Sequence, residues 1–306
     1  MKTFRKDIFY TIPEDADFWI TVWSSGWCSL EPFSTDEEKR TLSRVQRLKG
    51  GKIVKIAISD KQKDILIIEV ESGHELGEMD VEEVEDIVET CLRLDEDLTS
   101  FFELLEGYPE FRWVKEIGAG RSVRSPTVFE DVVKTICSTN CSWALTKATS
   151  RRLCGKLGEP FTDGSYTFPT PVQMASTTEE FMRAEIKAGY RSPYLIDLSR
   201  KIVEGELDVE AWKNSPLDST SLKNEIMKIK GVGDYAADHI LKLLDRYDFL
   251  ALDSWSRKRF SQIHNDGEQA SDEEIEEFYA PFRKWKGLVI WLDLAREYII
   301  PKKSNS

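Results

Sequence analysis

The sequence predicts an α+β protein, with an N-terminal antiparallel β-sheet domain over residues 1–95 and a helical domain over residues 96–306. Apolar and polar residues alternate in Lys52-Ile53-Val54-Lys55-Ile56-Ala57-Ile58 and in Ile65-Leu66-Ile67-Ile68-Glu69-Val70, the period of half-buried strands. Beyond Asp97 the apolar spacing changes to three and four residues, which is helical. A chain of 306 residues is also long enough to divide a large core between two domains.

In chain order, Phe18 to Trp27 alternates like a strand, and Gly50-Gly51 signals a turn. Asp60-Lys61-Gln62-Lys63-Asp64 is a polar turn between the two clearest strands. Val81 to Leu92 spaces its apolar residues helically behind a capping Asp80. Helices are then predicted over 98–105, 126–138, 143–157, 178–187, 194–204, 222–229, 234–244, 272–280 and 287–299. Gly158-Glu159-Pro160 and Phe168-Pro169-Thr170-Pro171 read as loops. No internal repeat or low-complexity segment stands out.

A hydrophobic content of 41% and a charged content of 32% are those of an ordinary soluble protein. Met1 to Asp7 contains no apolar core of a secretory signal, and no apolar run reaches membrane-spanning length. Five scattered cysteines suit reduced thiols, so a cytoplasmic protein is expected, nucleoid-associated in a bacterium or nuclear in a eukaryote. Cys137 and Cys141 share a helix face, but no second pair or histidine cluster completes a metal site, and no cysteine follows Cys154. They read as core thiols.

The net charge of −13 argues against a protein that coats nucleic acid generically. It leaves room for a local basic surface, because phosphate contacts need only a few aligned cations. The stretch from Glu69 to Asp97 is acidic and reads as a solvated face kept away from nucleic acid, in preference to a partner surface. Arg121, Arg124, Lys134, Lys147, Arg151 and Arg152 precede a basic element at Lys223, Lys228 and Lys230.

The most informative stretch lies between Leu222 and Arg259. Two helices, with the hairpin at 222–244, flank Gly231-Val232-Gly233, a turn tight enough to need glycine and open enough to admit a phosphate to the backbone. The amides that open the second helix, from Asp234, bind an anion without reading a base, and Lys228 and Lys230 add charge. A plain αα-turn with no ligand fits the same residues. Downstream, Asp253 follows Phe249-Leu250-Ala251-Leu252 and precedes Ser254-Trp255 and a basic run. A carboxylate in such surroundings serves as a base or stabilises a developing cation. It serves equally well as a helix N-cap.

Lys230-Gly231-Val232-Gly233-Asp234-Tyr235-Ala236-Ala237-Asp238, followed by Leu252-Asp253-Ser254-Trp255, closely resembles the helix-hairpin-helix–Gly/Pro–Asp (HhH-GPD) signature of base-excision DNA glycosylases. The segment from Ser125-Pro126-Thr127 to Ser138-Thr139-Asn140 resembles that family's first helix and wedge loop. Ala188-Gly189-Tyr190-Arg191-Ser192-Pro193-Tyr194 resembles its Gly-[Tyr/Phe]-Arg segment. The matches fall in family order and cover most of residues 99–300. The sheet ahead of them is similar in position to the N-terminal domain of the 3-methyladenine glycosylase II and 8-oxoguanine glycosylase branches.

The resemblance implies a two-lobed all-α domain, damaged double-stranded DNA as partner, a monomer, no required cofactor and no membrane. It leaves a place for an alkali cation at the hairpin. Lys230, Gly231, Val232, Gly233 and Asp234 would hold the DNA backbone, and Asn140 would wedge into the gap left by the flipped base. Asp253 would face the nucleotide and stabilise the oxocarbenium character that develops at its sugar. Members that also nick the strand carry a lysine at the position of Tyr235, so hydrolysis alone is expected here. Tyr235, Trp255, Tyr190, Trp285 and Trp291 are candidates for the base pocket, and the family's stacking position on the last helix falls near the non-aromatic Leu294. An alkylated base is the expected substrate. The alternatives are an 8-oxoguanine-type glycosylase with lyase activity and a non-catalytic module that only holds DNA.

Overall fold

The structure is a computed structural model that describes residues 3–62 and 64–300, so Lys63 of the polar turn lies outside the described residues. Five antiparallel strands, β1 (Phe4–Thr11), β2 (Phe33–Asp36), β3 (Thr41–Arg47), β4 (Ile53–Gln62) and β5 (Ile65–Ser72), form one sheet in the order β1-β5-β4-β3-β2. In the central pair Ile56 faces Val70 and Ile58 faces Ile68, so the predicted alternation puts one apolar face inward. Helix α2 (Glu78–Leu92) covers that face with Val84, Val88 and Cys91. Asp80 helps to start this helix, its carboxylate accepting from the Gly77 N–H at 2.7 Å.

One predicted strand is a helix. Phe18 to Trp23 forms α1, capped by Asp17, whose carboxylate accepts from the Ile20 N–H at 2.8 Å, and a 3₁₀ turn follows at Gly26–Ser29. Phe18 and Val22 pack into the sheet core while Ile20 packs into a helical core. A segment buried on two sides carries apolar residues at nearly every position, which imitates alternation, and the cap decides its conformation.

The remainder is helical: α3 (Thr99–Leu105), α4 (Arg112–Glu116), α5 (Val128–Ser138), α6 (Trp143–Leu157), α7 (Pro171–Ala175), α8 (Glu179–Phe181), α9 (Ser192–Val203), α10 (Ser219–Ile226), α11 (Asp234–Leu243), α12 (Ser254–His264), α13 (Asp272–Tyr279) and α14 (Lys286–Ile299). These form two lobes with separate cores. One gathers α5, α6, α9, α10 and α11, and the other gathers α3, α13 and α14. The single helix predicted over 178–187 is instead α8 followed by a π-helical turn, Met182–Ile186, that keeps both Met182 and Ile186 buried. Pro171, read as loop, is the first residue of α7, where its missing N–H leaves no bond unmade.

A buried charge network ties the sheet domain to the end of α11. Arg93, left-handed at the C-cap of α2 and 1% exposed, donates to the Tyr247 hydroxyl at 2.7 Å and the Lys242 carbonyl at 2.9 Å. Its guanidinium also pairs with Asp245 at 3.1 Å, and Arg124 meets the other oxygen of Asp245 at 2.7 Å. Arg121 and Lys134, from the basic series of the sequence, are likewise buried and internally paired, so they offer nothing to a phosphate.

Candidate active site

The hairpin forms where predicted, between α10 and α11. Gly231 adopts φ +87°, and a Cβ there would come within 2.4 Å of the Tyr194 ring, so only glycine fits. Val232 turns into the core, while Gly233, at the N-cap of α11, is exposed and its helix start has no side-chain cap. The opening amides of α11 therefore face outward, an arrangement suited to an anion. The lysines are already engaged: Lys230 with Asp197 at 2.9 Å, Lys228 with Glu225 at 2.5 Å, and Lys223 with Asp234 and Asp238 at 2.9 and 2.6 Å. Their charge is largely balanced within the protein, and the anion-binding potential rests on the amides and the helix dipole.

After α11 the chain crosses close to the start of α14. The Gly287 N–H donates to the Tyr247 carbonyl at 2.8 Å, and a Cβ on Gly287 would lie 2.2 Å from the Phe249 carbonyl oxygen. Leu250 is buried, and Ala251 takes φ +47° to bring Asp253 to the head of α12. Asp253 is the N-cap there. Its Oδ1 accepts from the Ser256 N–H at 2.7 Å, and its own N–H donates to the Ser256 hydroxyl at 2.8 Å. Oδ2 has no hydrogen-bond partner among the described residues. The capping geometry fixes the carboxylate and leaves half of it free.

That carboxylate lines a cavity of about 470 Å³, within the range of roughly 300–1,000 Å³ usual for small-molecule sites. Tyr235, Trp255 and Trp291 line it too, as do Trp27 and Trp143. Trp255 and Trp291 have centroids 5.8 Å apart, and Trp27 and Trp143 have theirs 6.4 Å apart. The Trp291 indole N–H donates to the Ser24 carbonyl at 2.6 Å, and that of Trp27 to Asp131 at 2.7 Å, which fixes both rings. Gly26 makes room for Trp143, whose ring a Cβ would meet at 2.6 Å. Burial, with the Asp253 charge added to it, holds the Tyr235 hydroxyl well above its ordinary pKa, so it stays protonated.

Two pocket candidates lie elsewhere. Trp285 is core: it packs 5.2 Å from Phe101 and 5.5 Å from Tyr247, because the 3₁₀ turn Ala280–Trp285 faces the lobe around α3. Tyr190 is half exposed and outside the cavity, its hydroxyl 3.5 Å from the Asn140 amide nitrogen. Asn140 is exposed at φ +47° in the loop between α5 and α6, where Ser138 and Cys141 line the cavity. Leu294 lines it as well.

Two aromatic and two titratable residues of the cavity escaped the sequence reading. Trp27 and Trp143 arrive from distant segments and carry no local signal. His239 and Lys242 had one: with Tyr235 they stand at i, i+4 and i+7 on α11, one helix face. Burial keeps the His239 imidazole neutral, and its Nε2 is buried without a hydrogen-bond partner among the described residues. The Lys242 ammonium sits 4.4 Å from the centroid of the Trp291 ring. Burial, and then the charge of Arg93, push its pKa down to about 8, with Asp253 opposing the shift.

A sequence model described as HhH-GPD superfamily base excision DNA repair protein matches residues 133–284. The chain is 23% identical over 212 residues to a DNA-3-methyladenine glycosylase of Bacillus subtilis, an alignment covering 67% of this chain and 69% of that one. Its fold is similar to that of a 3-methyladenine DNA-glycosylase from Archaeoglobus fulgidus, with TM-score 0.77, 17% identity and coverage of 95% of this chain and 98% of the other. It is also similar in fold to an 8-oxoguanine glycosylase/lyase of Clostridium acetobutylicum, with TM-score 0.72, 22% identity and coverage of 95% and 98%.

Proposed function

The chain belongs to the HhH-GPD superfamily of base excision DNA repair proteins, and we propose that within it the protein is a monofunctional DNA glycosylase that hydrolyses the N-glycosidic bond of a damaged base using Asp253. The observation that carries this reading is the Asp253 carboxylate in the wall of an aromatic cavity, held by one oxygen and free at the other.

In this reading the amides at the head of α11 grip a phosphate of damaged duplex DNA, Asn140 fills the gap in the stack, and the extruded base enters between indole rings. As the C1′–N bond lengthens, positive charge develops on the sugar. A fixed carboxylate stabilises that charge and accepts a proton from the water that adds to C1′. Tyr235 supplies no amine at the head of α11, which supports hydrolysis over imine chemistry. Indole walls favour a flat ring that stacks on them, which fits an alkylated base as well as an oxidised one. No step needs a cofactor. An alkali cation at the hairpin fits the donor type there, since the turn offers backbone carbonyls, of which that of Ile229 already accepts from the Val232 N–H.

One observation favours a second reading, an 8-oxoguanine-type glycosylase with lyase activity: an amine, Lys242, lines the same cavity. The test is base release from duplexes that each carry one damaged base, scored before and after alkali, with borohydride present in a parallel set. The proposal expects strand breaks only after alkali and no trapped covalent complex. Breaks without alkali, together with a trapped complex, favour the lyase. If Asp253→Asn matches the wild type on every duplex, a module that merely holds DNA is the better account.

A further inference from the structure

The polar wall of the cavity is narrow and specific. On α11, His239 and Lys242 follow Tyr235 at one and two turns, and both line the cavity that Asp253 enters from the head of α12. Apart from the hydroxyls of Ser25, Ser138, Thr146, Ser254 and Ser256, the other walls are largely aromatic and aliphatic. His239 Nε2 is buried and unpartnered among the described residues, and the Lys242 ammonium lies over the face of Trp291 with no hydrogen-bond or ion-pair partner among the described residues. The His239 ring packs against Trp27 and Tyr235, with centroids 4.9 and 6.1 Å away, but that packing leaves its Nε2 and the Lys242 ammonium available to a ligand. A buried polar atom without a partner, beside a cation held against an indole, describes a site that awaits a ligand with acceptor atoms.

We propose that Lys242, with His239 beside it, reads the flipped base, and that the substrate is an uncharged base presenting a carbonyl oxygen or unprotonated ring nitrogen, not a cationic N-alkylated one. The inference rests on the glycosylase reading and narrows it. A positively charged ring, such as that of an N7-methylated guanine, would enter a cavity already holding an ammonium and offer it repulsion and no acceptor. Uncharged alkyl adducts remain admissible, as do oxidised and deaminated bases.

The chemistry agrees. When the C1′–N bond breaks, its electron pair stays with the base. A cationic base departs as a neutral molecule and needs no acid, whereas an uncharged base departs as an anion. Lys242 can hand a proton to that anion and regain one from solvent, while Asp253 takes the proton of the attacking water. The charged and titratable groups facing Lys242 are Arg93 at the end of α2, Asp253 ahead of α12, and His239 and Tyr235 on its own helix. With its pKa near 8, Lys242 is protonated at neutral pH yet acidic enough to give the proton up.

The experiment compares single-turnover release of hypoxanthine, 8-oxoguanine, uracil and 1,N6-ethenoadenine with that of 7-methylguanine from otherwise identical duplexes, for the wild type, Lys242→Met and Lys242→Arg. The wild type should release at least one uncharged base faster than 7-methylguanine, with the rate falling above about pH 8. Lys242→Met should slow that release tenfold or more, remove the alkaline limb and leave 7-methylguanine release unchanged or raised, and Lys242→Arg should keep most of the preference. Thermal melting identifies a variant that fails to fold, in which case the wild-type preference and Lys242→Arg decide. A wild type that prefers 7-methylguanine overturns the proposal, as does an equal loss on both classes in folded Lys242→Met. So does a borohydride-trapped complex that Lys242→Met abolishes. If the wild type releases nothing from any duplex, the glycosylase reading falls and takes this one with it, whereas release without preference sinks the role of Lys242 alone.

Discussion

Lys242 carries a cost that the fold does not explain. Its folded-state pKa of about 8 lies below the roughly 10.4 of an unfolded lysine, so the folded protein holds that proton less tightly. The sign follows: the group opposes folding below about pH 8, and stability rises as pH climbs from there towards roughly 10.4. Lys242→Met keeps the length of the side chain and its contact with Trp291 but removes the charge. It should stabilise the protein at pH 7 by about 1–3 kcal/mol in denaturant titrations, the pattern of a residue kept for function. A destabilised variant would place Lys242 among the structural residues. At this scale the sequence was legible where the signal was local: Asp253, Tyr235, Trp255 and Trp291 all line the cavity. It was opaque where a ring arrives from afar, as with Trp27 and Trp143. It misled at Trp285, because an aromatic residue near a motif packs into whichever surface its turn faces, and this one faces Phe101.

Among the elements, the hairpin and the α2–α11 clamp position the cavity, and each makes a prediction. Gly231→Ala forces a Cβ into the left-handed region and against the Tyr194 ring, so it should cost about 2 kcal/mol in chemical unfolding and weaken DNA binding. Gly233→Ala, which meets open space at φ −97°, should change stability far less. Arg93→Met leaves the largely buried Glu96 carboxylate without its guanidinium and the half-buried Asp245 with Arg124 alone, and should destabilise by about 3–5 kcal/mol. Helices with clear periodicity, such as α6 and α11, stand within a residue of their predicted bounds. The failures have two causes. Phe18 to Trp23 packs into two cores at once, so its apolar pattern reports burial without reporting period. β1 and β2 carry polar sequences that only pairing with a neighbour makes into strands.

For the whole molecule, a net charge of −13 and a hairpin whose lysines are paired internally limit how much of the DNA affinity can come from released counterions. With a slope of about −0.9 in log affinity against log salt per neutralised phosphate, binding of an abasic-site duplex should fall with a slope shallower than about −4 in fluorescence anisotropy. A steeper slope would mean that the internal ion pairs open on the DNA. The fold class was readable from periodicity, but the cavity belongs to no single domain: Ser25, Gly26 and Trp27 precede the predicted boundary near residue 95 and join α11, α12 and α14 around Asp253. In the proposed function this carboxylate acts on the sugar of a base held there. The direct measurement is the single-turnover rate of base release for wild type and Asp253→Asn, on whichever duplex the wild type cleaves. Asparagine still caps α12, so folding and DNA binding should persist while the rate falls by about 10²-fold or more. An Asp253→Asn protein that releases the base at the wild-type rate would contradict the account.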